Sequence, residues 1–429
     1  MNLEMQSYIE TVCSFVKSQE VHCDIQSELE NHIIESVDEY KAVGFSEDEA
    51  FKKALALMGD PKIVGKQLNQ AHKPRIDWKT ISLVTTLIGI GLASLYSMQR
   101  SLLLSEDAVF RQLLSVGLGI IVMISFMFFD YRKIMKYSMG LLLGTLGVMM
   151  LVFFQGNLMN GIPIYSFGFI RINIWDVSPT LLVIALCGIF TNRKWEKKYD
   201  IGYLLVLYLS PIFLYLITPT MISAVLYTIC YFVLLIMCGI VKKRYVFILS
   251  MFIGGGAFFI LKTSFLHWER FIAFLHPFQY ADTVGYQTVK SIEIISDAGL
   301  WGHGFGAELR LLGSVENHFV LTYIIHIFGW VLGGAMIVLF ILLIARLFHT
   351  VKDSREMYGK ALTIGLGALF ILQSIWNIAM VVGLAPAASI NLPFISYGGI
   401  GFIFQAAAIG LILSVYRRKN MISSRHIIK

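Results

Sequence analysis

TISLVTTLIGIGLASLYSM, residues 80 to 98, contains no charged side chain. As a helix rising about 1.5 Å per residue, a run of this length crosses the roughly 30 Å hydrocarbon core of a bilayer. Comparable apolar runs follow near 113 to 129, 137 to 154, 178 to 191, 201 to 217, 222 to 241, 245 to 261, 319 to 345, 360 to 384 and 395 to 416. These residues predict an all-α polytopic membrane protein of about ten transmembrane helices. The split between the fifth and sixth runs rests on Ile217 to Thr220, a Pro-centred break, so nine is the alternative count. Composition agrees: 56% of residues are hydrophobic, 15% are charged, and mean hydropathy is +0.69. Those values lie far outside the soluble globular class.

The formal charge of +7 is unevenly distributed. Residues 1 to 75 hold 8 Lys/Arg against 13 Asp/Glu, whereas the remainder holds 27 against 15. The basic residues cluster at 131 to 136, 192 to 198, 242 to 244, 346 to 360 and 417 to 419. By the positive-inside rule all five clusters are cytoplasmic, which fits ten spans with both termini inside the cell membrane. Topology therefore accounts for the basic balance, and a nucleic-acid partner is excluded because no Lys/Arg stripe with interleaved aromatics occurs outside these loops. The five cysteines show no CxxC spacing and read as reduced thiols or small apolar fillers. With the first long apolar run near residue 80, no cleavable signal peptide is expected.

Residues 1 to 75 read as a small cytoplasmic helical domain, and residues 76 to 429 as the membrane domain. About three amphipathic helices are expected in the first. The third, in GFSEDEAFKKALALMGDP, opens with a capping box of Ser46 and Glu49 and closes at Gly59 with Pro61 beyond it. A helical module this small is near the lower limit for independent folding, so a membrane loop or a cytoplasmic partner is expected to dock on it. Its pattern resembles the permease prefix module found ahead of some bacterial membrane proteins, which implies an interaction or regulatory role. His22 and His32 have no Cys or His partner at metal-ligand spacing, so no metal is assigned there.

Residues 262 to 318 form a long loop that the charge rule places outside. Loops of this length in compact proteins are functional or disordered, and the aromatic content here argues for packing. RFIAFLHP (270 to 277), VGYQTVKSIEIISDAGLWGHGFG (284 to 306) and WNIAMVVGLAPAASINLPFISYGGIG (376 to 401) resemble the SEDS proteins RodA, FtsW and SpoVE, membrane glycosyltransferases that polymerise peptidoglycan. The resemblance implies transfer of a disaccharide-peptide from its undecaprenyl diphosphate carrier (lipid II) at the outer membrane face, in cell shape, division or sporulation. It also implies a class B penicillin-binding transpeptidase as partner and a divalent cation, Mg or Mn, as an aid to the leaving diphosphate.

Such a reaction needs a carboxylate base for a poorly nucleophilic sugar hydroxyl. Asp282 is the loop carboxylate nearest the family's position, which in an ungapped count falls on Tyr280. Arg270 matches the family's arginine seven residues before the loop proline, and Lys290 stands where the family has glutamine. Glu316 and His318 begin a span, where ionisable groups are costly unless they face water or a partner. Gln373 and Asn377 share a helix face, and Ser396 and Tyr397 lie within the signature. Three family acids are missing: the strings read Val177 to Thr180, Thr218 to Thr220 and Glu316 to Phe319 here. They motivate the alternative expectation, a non-catalytic precursor-binding or scaffold protein that regulates wall synthesis.

Overall fold

The computed structural model describes residues 3–71, 73–159, 161–167, 170–193, 195, 200–218, 220–240, 265–309, 312–313, 315–354 and 356–419. They form two compact units. The first joins residues 3–77 to the turn at 353–356 and to residues 415–419, and the second holds the rest.

The first unit contains four helices where the sequence suggests three: α1 (Leu3–Ser14), α2 (His22–Ala42), α3 (Glu47–Leu57) and α4 (Pro61–Ala71). The fourth was hidden in a stop signal. Pro61 ends the preceding segment and also begins α4, where its missing N–H would have had no intrahelical partner anyway. Asp60 caps that start, its Oδ1 accepting the Lys62 N–H at 2.8 Å. The Ser46–Glu49 capping box forms at the head of α3. Ile25, Leu29 and Ile33, four apart along α2, pack with Tyr8, Ile9, Val12 and Val16. Gly65 permits α4 to approach α1 closely, since a Cβ there would lie 2.7 Å from the Val12 carbonyl oxygen. Within the same unit the Arg75 N–H donates to the Arg417 carbonyl at 3.4 Å. Lys419 forms an ion pair with Asp353 beside it.

The second unit is a bundle of apolar helices. These are α5 (Trp78–Arg100), α6 (Glu106–Phe128), the single turn α7 (Arg132–Met135), α8 (Ser138–Gln155), α9 (Ile174–Asn192), α10 (Asp200–Ile217) and α11 (Met221–Met237). After them come α12 (Phe265–Leu275), α13 (Tyr286–Asp297), α14 (Val320–Asp353), α15 (Met357–Val381) and α16 (Gly399–Arg417). Among the described residues, seven of these are long and apolar enough to span a membrane, with α10 and α11 shorter. The expected span at 245 to 261 lies outside the described residues. Between α8 and α9 a small antiparallel sheet appears, β1 (Asn157–Met159), β2 (Ile162–Phe167) and β3 (Ile170–Ile172), with Leu158 opposite Pro163 and Ser166 opposite Arg171. The Trp175 indole N–H, donating to the Pro163 carbonyl at 2.7 Å, ties it to α9.

α9 is the axis of the bundle, packing on α8, α11 and α15. Two prolines in the bundle leave carbonyls without their usual helical donor, a costly state in a medium without water. Pro179 frees the Trp175 carbonyl, which accepts from Ser223 Oγ of α11 at 2.9 Å. Pro211 frees the Leu207 carbonyl of α10, and the Tyr227 hydroxyl of α11 donates to it at 2.8 Å. α11 thus satisfies both helix defects, which fixes α9, α10 and α11 side by side.

α14 is broken at Gly329, whose φ and ψ are 75° and −178°. The loop at 299–306 fills the break. His303 N–H donates to His326 O at 2.8 Å and Gly304 N–H to Ile327 O at 3.0 Å, while Trp330 and Val331 N–H donate back to Gly299 O and Leu300 O at 3.1 and 3.2 Å.

Candidate functional site

A cavity opens within the helical bundle, bounded by the first turns of α9 and α11, by α15, by residues 389–391 and by α16. Its polar lining is Asp176, Thr180, Ser223, Gln373, Ser389, Asn391 and Gln405. Asn173 caps α9 by accepting the Trp175 N–H at 3.2 Å, and its Nδ2 donates to the Asp176 carboxylate at 2.8 Å. The carboxylate is thereby oriented yet still accessible, because it faces the cavity. Pro179, which makes the α9 defect, and Ser223, which repairs it, stand in the same wall. The local break in α9 and the polar cavity therefore share one cause.

Behind this wall lies a fully buried amide. Asn377 Nδ2 donates to the His318 carbonyl at 2.8 Å and to the Ile390 carbonyl at 2.9 Å, pinning the segment before α14 to the segment before α16. Burial holds the His318 imidazole below the usual histidine range, against contacts with Ile390 and Asn391 that favour its protonated form. His318 Nδ1, Asn377 Oδ1 and Asn391 Oδ1 are buried and have no hydrogen-bond partner among the described residues. Unsatisfied polar atoms are uncommon in native interiors, and three around one segment mark a place where polar chemistry is tolerated.

The turn preceding α16 is unusually constrained. Phe394 has a φ of 67° although it is not glycine, a backbone state that costs about 1–3 kcal/mol. Its ring packs on Phe370 with centroids 5.3 Å apart, and its N–H donates to Gln405 Oε1 at 3.0 Å. Ser396 Oγ accepts the Leu392 N–H at 2.9 Å, and Gln112 Oε1 of α6 accepts the Gly398 N–H at 3.3 Å.

The sequence candidates separate in space. Gln373 lines the cavity, and Asn377 and His318 stand behind it. Ser396 braces the turn, while Tyr397 joins the next layer through its N–H, which donates to the Glu316 carbonyl at 2.9 Å. The Glu316 carboxylate accepts from Asn317 Nδ2 at 3.3 Å. Asp282 does not line the cavity; it is exposed on the turn at 281–285 leading into α13. Lys290 is paired with Glu293 at 2.6 Å, which raises its pKa through that bond. Arg270 belongs to α12, but its side chain lies outside the described residues. α13 itself is anchored, Ser291 Oγ donating to the Val381 carbonyl at 2.9 Å and lying 2.8 Å from Thr322 Oγ1.

Asp176, Thr180, Ser223, Asn391 and Gln405 escape the sequence reading. The available signal for Asp176 is an acid in the first turn of an apolar helix, three residues after an Asn cap. Among the described residues no three His, Cys, Asp or Glu side chains come together as a metal site. No step below is routed through a cation.

Residues 77–421 match the family model described as cell cycle protein, FtsW, RodA and SpoVE. The chain is 25% identical over 366 residues to the probable peptidoglycan glycosyltransferase FtsW of Geobacter sulfurreducens, covering 82% of this chain and 98% of the relative. It is 24% identical to the stage V sporulation protein E of Bacillus subtilis, covering 80% of this chain and 97% of that one. Among solved structures it is similar to the rod shape-determining protein RodA of Thermus thermophilus, with a TM-score of 0.60 and 20% identity over 80% of this chain and 97% of that one. It is also similar to a chain of a structure described as a peptidoglycan synthase complex that coordinates polymerization and crosslinking, with a TM-score of 0.68 and 22% identity over 80% of this chain and 98% of that one. With its whole helical bundle inside the matched range, the chain belongs to the FtsW, RodA and SpoVE family of membrane-spanning cell cycle proteins.

Proposed function

We propose that the chain is a peptidoglycan glycosyltransferase that extends glycan strands from a lipid-linked disaccharide-peptide. The observation carrying this reading is the family match across the entire membrane bundle, joined to a carboxylate-bearing polar cavity inside it. The basic clusters favour cytoplasmic termini, which would put the Asp176 end of α9 and the Asp282 turn at the outer face. In the proposed reaction the C4 hydroxyl oxygen of one sugar bonds to C1 of the other, the bond from C1 to the diphosphate oxygen breaks, and the hydroxyl proton passes to a carboxylate. Asp282 is the proposed base. Arg270 and Lys290 are the proposed cations for the departing diphosphate, Lys290 with part of its charge already committed to Glu293. Removing a general base costs typically 10²- to 10⁴-fold in rate.

The relative solved as a synthase complex supports a crosslinking transpeptidase of the class B penicillin-binding type as partner. The acidic N-terminal helices suit a separate cytoplasmic partner. A second reading, a precursor-binding or scaffold protein without turnover, is favoured by the exposure of Asp282 away from the cavity. Polymer formation by the purified full chain from lipid-linked precursor separates them. Loss of polymer in Asp282→Asn supports the proposed base, and wild-type polymer in that variant removes it. Precursor binding with no polymer from the native chain supports the scaffold reading.

A further inference from the structure

The cavity lining is selective in what it lacks. It offers one carboxylate, three carboxamides and three hydroxyls, with no Lys, Arg or His among the described residues that line it. A diphosphate requires positive donors, and this lining supplies none among the described residues. A neutral polyol suits the same lining: its hydroxyls donate to a carboxylate and accept from amide N–H groups. The volume of about 30 Å³ admits one substituent of a sugar rather than a ring.

Gln405 shows how the donor side is fixed. Only the oxygen of a carboxamide accepts hydrogen bonds, so the Phe394 N–H, 3.0 Å from Oε1, dictates the amide's orientation. Nε2 is left without a partner among the described residues, on a side chain that lines the cavity. Backbone strain of the kind seen at Phe394 survives where the surroundings over-determine it, and it concentrates at functional sites. Here the Ser396 and Gln112 bonds over-determine the turn, and the strained amide is the group that aims Gln405.

We propose that this cavity is a subsite for a hydroxyl or acetamido substituent of a saccharide, and that Gln405 is a specificity-determining residue whose Nε2–H donates to the sugar oxygen. The subsite excludes the diphosphate, which binds elsewhere. Only the choice of saccharide rests on the glycosyltransferase reading.

The test is saturation-transfer NMR on the purified full chain in detergent, with the N-acetylglucosaminyl–N-acetylmuramyl disaccharide lacking any diphosphate as probe. Gln405→Glu keeps an acceptor for the Phe394 N–H but removes the donor, and Thr180→Val removes a lining hydroxyl without touching the strained turn. Each is expected to weaken disaccharide binding about ten-fold, the scale of one lost hydrogen bond. Inorganic pyrophosphate is expected not to compete. Wild-type affinity in both variants, or displacement of the disaccharide by pyrophosphate, overturns the subsite. Binding does not depend on turnover: a native chain that holds the disaccharide but makes no polymer supports the subsite while defeating the polymerase reading.

Discussion

Replacing Gly329 by alanine is expected to detach the loop at 299–306 from the broken helix α14. At φ 75° and ψ −178° the residue occupies a region essentially restricted to glycine. An added Cβ would lie 2.1 Å from the Leu300 carbonyl oxygen and 2.3 Å from its carbon, both backbone atoms with nowhere to rotate. Relief requires the loop to leave, and four backbone hydrogen bonds leave with it. At about 1 kcal/mol net for each bond, release forfeits about 4 kcal/mol, whereas keeping the native arrangement incurs roughly 1–3 kcal/mol of backbone strain on top of the overlap with Leu300. A carbon 2.1 Å from a backbone oxygen is not sterically tolerable, so the overlap makes local release the cheaper outcome. Hydrogen exchange read by mass spectrometry should show lost protection at the amides of His303, Gly304, Trp330 and Val331. Gly334→Ala is the control, since nothing lies within 4 Å of a Cβ there. Native protection at those four amides in Gly329→Ala would refute the account of the break.

Tyr227→Phe should destabilise the bundle by about 0.6–1.7 kcal/mol, the measured range for interhelical hydrogen bonds in membranes, by orphaning the Leu207 carbonyl. Adding Pro211→Ala restores an N–H for that carbonyl and should recover most of the loss; equal unfolding free energies for the single and double variants in a denaturant titration would contradict this. His318 should make stability pH-dependent. Its folded pKa is depressed by burial, so the unfolded chain takes up the proton first: the stabilisation is complete above the ordinary histidine value of about 6.5 and erodes as pH falls below it. Unfolding followed from pH 8 to 5 should be less pH-sensitive in His318→Gln, and an identical slope in both proteins would rule the effect out.

Periodicity and length revealed the helices because an apolar run has few alternatives in a bilayer. Nine of the ten expected spans coincide with described helices, their ends differing by up to eight residues, as at 345 against Asp353. The fourth helix of the N-terminal unit was harder to see, since Pro61 serves as both stop and start. The sheet at 157–172 escaped because its strands are three to six residues long and do not alternate cleanly. At the candidate site, Gln373 and Asn377 were legible from their shared helix face. Asp176 and Gln405 were not, because their placement depends on a proline-induced defect and on a strained turn 11 residues upstream in sequence. Ser396 and Tyr397 stood out as signature residues, and what they visibly do is shape that turn.

The first unit draws together three distant parts of the chain: the approach to α5 at Arg75, the turn between α14 and α15 at Asp353, and the exit of α16 at Arg417 to Lys419. The Arg75–Arg417 hydrogen bond and the Lys419–Asp353 ion pair thus fasten segments far apart in sequence, so removing either bond loosens more than one of them at once.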